Sequence, residues 1–232
     1  MLSGLTAGAG VYAHVIGAGA GLNLVAGNGS YALTGAAAGV TKSAALLTLT
    51  AGGGSYAITG AAASVVKTVG WTTTFSATLG ADSTGWSGFN IREVIDASII
   101  STSGSSVRLT LQAAAATSGC SIDGLYIGHP AGSGDAYDFD GSQVQVLVLG
   151  SASFTIAMGA SVVTDPVTFA LDQTKHLIIA AHFNATSSVR AQPLAGTTLH
   201  FKSAANETAT ANVTGYTTTG SALRLINKVE VM

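Results

Sequence analysis

The chain has 232 residues, of which 47% are hydrophobic and only 9% charged, against the roughly 25% charged of an ordinary soluble domain. Thirty glycines stand beside three prolines, and a mean hydropathy of +0.48 is too apolar for intrinsic disorder, so the chain is expected to fold. A formal net charge of −2 leaves no basic footprint for nucleic acid or an anionic membrane surface.

The opening Met1-Leu-Ser-Gly-Leu-Thr-Ala-Gly-Ala-Gly lacks the basic n-region and dense leucine core of a secretory signal and reads as mature sequence. Residues 1–70 contain Lys42 and Lys67 and no acid, the first carboxylate being Asp82. This charge boundary divides the chain into a Gly/Ala-rich region, 1–70, and a second region, 71–232. In the first, Leu22-Asn-Leu-Val-Ala-Gly-Asn-Gly-Ser-Tyr-Ala-Leu-Thr-Gly-Ala-Ala-Ala is matched 25 positions later by Leu47-Thr-Leu-Thr-Ala-Gly-Gly-Gly-Ser-Tyr-Ala-Ile-Thr-Gly-Ala-Ala-Ala. Two short alternating segments split by Gly-Asn-Gly or Gly-Gly-Gly predict one β-hairpin per unit, because glycine reaches φ > 0 without a Cβ clash. Such units bury little alone, so the region is expected to dock or oligomerise.

From Trp71 onward apolar residues alternate with period two, the spacing that lines one face of a sheet. Val107, Leu109 and Leu111 do so, as do Val144, Val146 and Val148, and 154–158, 176–183, 199–202 and 222–231 read similarly. The one helix candidate, the alanine run in 112–117, is too short to stand alone. The apolar runs 144–149 and 177–183 fall far short of the roughly 20 residues of a spanning helix, and no membrane insertion is expected. Strands separated by turn residues, with no interleaved helices, predict an all-β chain: hairpin repeats followed by an antiparallel β-sandwich of jelly-roll type. With Cys120 as the sole cysteine, an intramolecular disulfide is excluded and stability rests on buried apolar area. Cys120 itself reads as a small buried residue.

Asp135-Ala-Tyr-Asp138-Phe-Asp140-Gly141 is the densest acidic cluster. Oxygen-rich loops of this kind can coordinate calcium, which makes Asp135, Asp138 and Asp140 metal candidates, although the EF-hand spacing is not met; the alternative is a solvated loop of Asx and glycine turns. Tyr126, His129 and Tyr137 flank the same segment, and aromatic faces beside Asp135, Asp138 and His129 can hold a sugar ring. The alternative is packing. His176, His182 and His200 make a zinc site only if their strands pair suitably. Trp71 and Trp86 bracket the regional boundary and are expected to fill its seam. No Gly-x-Ser-x-Gly elbow or strand-turn-helix unit mounts a nucleophile, so neither catalysis nor a resident cofactor is expected.

Four segments carry a resemblance: Asn90-Ile-Arg-Glu-Val-Ile-Asp-Ala-Ser, Ser106-Val-Arg-Leu-Thr-Leu, Tyr126-Ile-Gly-His-Pro-Ala-Gly-Ser-Gly-Asp-Ala-Tyr-Asp-Phe and Leu225-Ile-Asn-Lys-Val-Glu-Val. Together with the Gly-Ser-Tyr-Ala-Leu-Thr-Gly-Ala-Ala repeat, the chain resembles putative tail or fibre proteins of tailed bacteriophages and prophages of alphaproteobacteria, whose domain also neighbours esterase-like modules. The resemblance implies a noncatalytic virion surface component, a tail, fibre or spike protein contributing to host attachment. By analogy with phage fibres it implies a homotrimer contacting other virion proteins and a host surface glycan. A capsid decoration or head-fibre protein is one alternative, and a carbohydrate-binding accessory module of a glycan-active enzyme another.

Overall fold

A computed structural model describes Tyr31–Thr34, Tyr56–Thr59 and residues 70–232. Contacts divide the chain after Thr68, and each part is described by itself.

In the first part, β1 (Tyr31–Thr34) pairs with β2 (Tyr56–Thr59). The pairing is parallel, with Tyr31 opposite Tyr56 and Thr34 opposite Thr59. Equivalent positions of the two repeats are therefore partners, and the described contact runs between units. The hairpins predicted within each unit involve segments outside the described residues.

The second part opens with β3 (Thr72–Ser76), β4 (Ala81–Ser83), β5 (Phe89–Ile95), β6 (Gly104–Gln112) and β7 (Cys120–Gly128). Then come β8 (Val144–Gln145), β9 (Phe154–Ile156), β10 (Ser161–Val163), β11 (Val167–Leu171) and β12 (Leu177–Phe183). The chain closes with β13 (Val189–Gln192), β14 (Thr197–Ser203), β15 (Thr217–Gly220), β16 (Leu223–Arg224) and β17 (Ile226–Val231). A seven-stranded sheet runs β15-β14-β5-β12-β7, with β8 and β9 both added to β7; a five-stranded sheet runs β3-β17-β6, with β10 and β11 both on β6. A small third sheet runs β16-β13-β4. All pairings in this part are antiparallel, so the fold is all-β and sandwich-like.

The two large sheets enclose one core. Val107, Leu109 and Leu111 of β6 with Val229 and Val231 of β17 meet Ile91 and Ile95 of β5, Ile122, Leu125 and Ile127 of β7, and Ile179 of β12. The 107–109–111 alternation is realised as predicted, because these three side chains share the inner face. β7 departs from strict alternation: His182 stands opposite Gly124 but Phe183 opposite Ile122, so Asp123 is an inserted bulge residue. That extra residue resets the phase, which is why Ile122 and Leu125, three apart, both face the core.

The alanine run, too short to stand alone as a helix, forms none: Gln112 ends β6, Ala113 bridges to Val189 and the chain then bends. One expectation is corrected. Trp86 belongs to the sandwich core, its indole edge-on to Phe89 at 5.6 Å and Phe201 at 5.7 Å, with Nε1 donating to Ser83 Oγ. Trp71 instead lies under the Arg108 guanidinium, 4.5 Å from the ring centre.

Candidate functional site

The outer face of the seven-stranded sheet carries a second, smaller core. Val94 of β5 and Ile178 and Ala180 of β12 meet Tyr137, Phe139 and Val213 there, with Tyr126, Ala211 and Tyr216 packed around them. Two loops supply this cover, one through 129–143 and one through 204–216. Central β5 and β12 are therefore buried on both faces.

What holds the loops down is polar and comes from β5. Asn90 and Arg92 are two apart, so both point outward. Asn90 donates through Nδ2 to the carbonyls of Ala204 and Ala205 and accepts the Glu207 N–H at 2.8 Å. Arg92, fully buried, donates through Nη1 to the carbonyls of Tyr137 at 2.6 Å and Ala211 at 3.3 Å, and through Nη2 to those of Glu207 and Thr210. Its guanidinium carbon lies 4.5 Å from the Phe139 ring centre and 5.9 Å from that of Tyr216. Burial lowers the guanidinium's pKa, and Tyr216, Asp138 and Glu207 oppose that fall. Arginine keeps its charge under such conditions, so Arg92 is a buried cation solvated by backbone carbonyls of both loops.

Of the five glycan candidates, Tyr126, Asp135, Tyr137 and Asp138 gather at this loop, whereas the His129 ring turns toward Asp172 and His176. Asp138 is buried and ties the loops together, Oδ1 accepting the Val213 N–H at 2.9 Å and Oδ2 the Asp135 N–H at 3.1 Å. Tyr137 donates its hydroxyl to Asp135 Oδ2 at 2.8 Å while its ring packs, tilted, against His200 at 4.7 Å and Tyr216 at 5.1 Å between ring centres. Burial and the adjoining Asp135 push the Tyr137 phenol up; burial, with Glu207 adding to it and Arg92 opposing, carries Tyr216 up to about 12. His200, whose Nδ1 meets Thr218 Oγ1 at 2.9 Å, is pulled down by burial and by Arg92. Tyr126 is half-buried on the outer face of β7, and Asp135 is exposed with Gly132, Ser133, Gly134 and Ala136.

His129 is engaged elsewhere. Its Nδ1 lies 2.8 Å from the His176 carbonyl, and its Nε2 accepts the Asp172 N–H at 3.2 Å. Nε2 also lies 3.2 Å from the Ala170 carbonyl. The ring stacks on Phe169, so His129 clamps β11 to the start of β12.

The calcium expectation meets a different geometry. Asp135 receives the Tyr137 hydroxyl, Asp138 two backbone N–H groups, and Asp140 the N–H and hydroxyl of Ser142. Among the described residues no group of three or more His, Cys, Asp or Glu side chains could hold a metal ion. Each of the three carboxylates thus has a hydrogen-bond donor within these loops. The three histidines are likewise apart: His176 Nδ1 accepts the Ala97 N–H, His182 Nδ1 pairs with Asp123 and His200 meets Thr218. Cys120 is fully buried, its thiol pushed up to about 12 by desolvation, far from the activation a nucleophile needs.

Arg92 and Asn90, which organise this face, were legible only as charged and polar letters inside a resemblance motif. The signal available was a strand-length segment with Arg and Asn two apart beside Ile91, Val94 and Ile95. A separate cleft of about 320 Å³ lies along β3, lined by Thr73, Phe75, Ser76, Ile99, Ser101 and Leu194, with no candidate residue in it. In comparisons with known proteins, no family model and no curated sequence matches the chain.

Proposed function

We propose that the chain is a noncatalytic structural protein of a phage virion surface, a tail, fibre or spike component that contributes to host attachment. The observation that carries this reading is the loop platform on the outer face of the seven-stranded sheet. Arg92, Asn90 and Asp138 fasten two long loops to the sheet through backbone groups, which gives a stiff surface with an exposed tip at 132–136. A fixed outward surface suits repeated weak contacts by many copies, and the jelly-roll form of the sandwich is part of the same proposal. The resemblance of the four sequence segments to tail and fibre proteins points the same way. So does the in-register pairing of β1 with β2, a pattern that lends itself to assembly; a homotrimer docked on other virion proteins is the arrangement proposed.

The second reading, a carbohydrate-binding accessory module, draws on the exposed Asp135 carboxylate beside the Tyr137 hydroxyl at the loop tip. The solution mass of the full chain by light scattering, with glycan binding measured on the same sample, separates the two. A trimer supports the virion reading. A monomer that binds a sugar, with binding lost in Asp135→Ala, favours the module and removes the fibre argument.

A further inference from the structure

One buried acid lies outside everything argued so far. Glu93 of β5 points to the inner face, between Ile91 and Ile95 on its own strand and opposite Ile179 of β12 and Leu199 of β14. It is wholly buried, and neither carboxyl oxygen has a well-formed hydrogen bond, the Arg224 backbone N–H being the donor that bears on it. An ionised carboxylate in such a place is costly.

The charged group that bears on it is Arg224 of β16. This arginine is also incompletely engaged: Nε is buried and unpartnered, Nη1 reaches the Leu223 carbonyl at 3.3 Å, and the guanidinium carbon lies 5.9 Å from the Trp86 ring centre. The Asp82–Arg190 ion pair of the same small sheet is closed on itself at 2.7 Å. β16 is bracketed by two non-glycine residues in the left-handed region, Ser221 at φ 50° and Leu225 at φ 62°. Both are anchored, the Ser221 carbonyl accepting from Leu194 and the Leu225 N–H donating to Arg190. Backbone held in this sparsely populated region is a recognised place for stored strain.

We propose that Glu93 and Arg224 form a proton-operated switch in the core. With Glu93 protonated, the neutral acid rests among apolar neighbours and Arg224 lies beside Trp86. When the proton leaves to solvent, the carboxylate draws the guanidinium away from the indole into an ion pair. Burial raises the Glu93 pKa well above its ordinary value, and Arg224 opposes that only in part, so the transition falls above the usual carboxylate range. A folded-state pKa above the unfolded one means stability is fully present below the unfolded value and is lost as pH rises toward the folded one. Through that window the folding constant falls by up to tenfold per pH unit relative to Glu93→Gln.

Trp86 reports the movement directly once the second tryptophan is removed. In the full chain carrying Trp71→Phe, Trp86 emission is followed from pH 4 to pH 9. The expected result is a step with its midpoint above 4.5, the ordinary glutamate value, abolished by Glu93→Gln and by Arg224→Gln. A flat emission trace, or a step that survives Glu93→Gln, overturns the proposal. If Glu93→Gln does not fold, infrared spectroscopy of the Trp71→Phe chain decides: a protonated-carboxyl band that persists at pH 6 supports the switch, and its absence in the folded protein refutes it.

Discussion

Arg92 and Glu93 are neighbours in sequence, both fully buried, yet the two faces of β5 treat them oppositely. On the outer face the cation meets four backbone carbonyls and two aromatic rings. On the inner face the acid meets aliphatic side chains and one imperfectly placed arginine. The difference lies in what covers each face. Loops bring carbonyls that helices and sheets would have used up, whereas a facing sheet brings only side chains, and here those are apolar. A buried charge can thus serve as a fastener under loops and as a liability between sheets.

The largest effect expected from breaking this contrast is on the loop side. Arg92→Met removes the donor from four carbonyls, and a loss of about 3–5 kcal/mol in urea-induced unfolding is expected, the scale for a broken buried charge network. A cost under about 1 kcal/mol would remove the fastener argument. On the sheet side the sign reverses: Glu93→Leu is expected to gain about 1–3 kcal/mol at pH 8 and nothing at pH 4, by analogy with buried charges replaced by apolar residues. Equal losses at both pH values would show that Glu93 stabilises the core as it stands.

Asp138→Ala should cost about 1–3 kcal/mol, leaving the Val213 and Asp135 N–H groups without their acceptor; hydrogen exchange would speed at both amides. A smaller gain is expected at an exposed turn. Leu149, 94% exposed with φ 51°, precedes Gly150 at φ 76°, and the Asp165 carboxylate accepts both N–H groups. Leu149→Gly relieves the left-handed strain and should raise stability by about 1 kcal/mol. Smallest of all, millimolar calcium should leave the melting temperature unchanged, since a ligand stabilises only what it binds; a clear rise would show Asp135, Asp138 and Asp140 to be a site.

The stability profile against pH has opposing slopes. Asp82, Asp96 and Asp172 are held below the usual range by hydrogen bonds from Ala115, Ser98 and Thr174. Their contribution is present above their unfolded values and disappears on acidification. His200, with a lowered pKa, likewise loses stability as pH falls below 6.5. Glu93 acts in the other direction above 4.5, so subtracting the Glu93→Gln profile isolates its share.

The strands that one face of solvent or loop leaves alternating were readable in the sequence, as Val107, Leu109 and Leu111 show. β5 was not, because its Asn90, Arg92 and Glu93 imitate a solvated segment, whereas β12, also buried on both sides, was readable from its apolar run. The bulge at Asp123 hid β7 by shifting its apolar residues from every second to every third position. Around the candidate site, residue types pointed to the correct loop but not to its role. Whether an aspartate binds a ligand or receives N–H groups depends on what lies opposite, and for Asp138 that is Val213, 75 residues away.

The parallel match of Tyr31 to Tyr56 has a bearing on length. A unit that recurs every 25 residues and meets its predecessor position for position adds one strand per copy, at the roughly 4.8 Å step between neighbouring strands. Gain or loss of a whole copy leaves every remaining partner in register, so the number of copies sets a dimension in equal increments, and evolution can lengthen or shorten the region by duplication without redesigning a single contact.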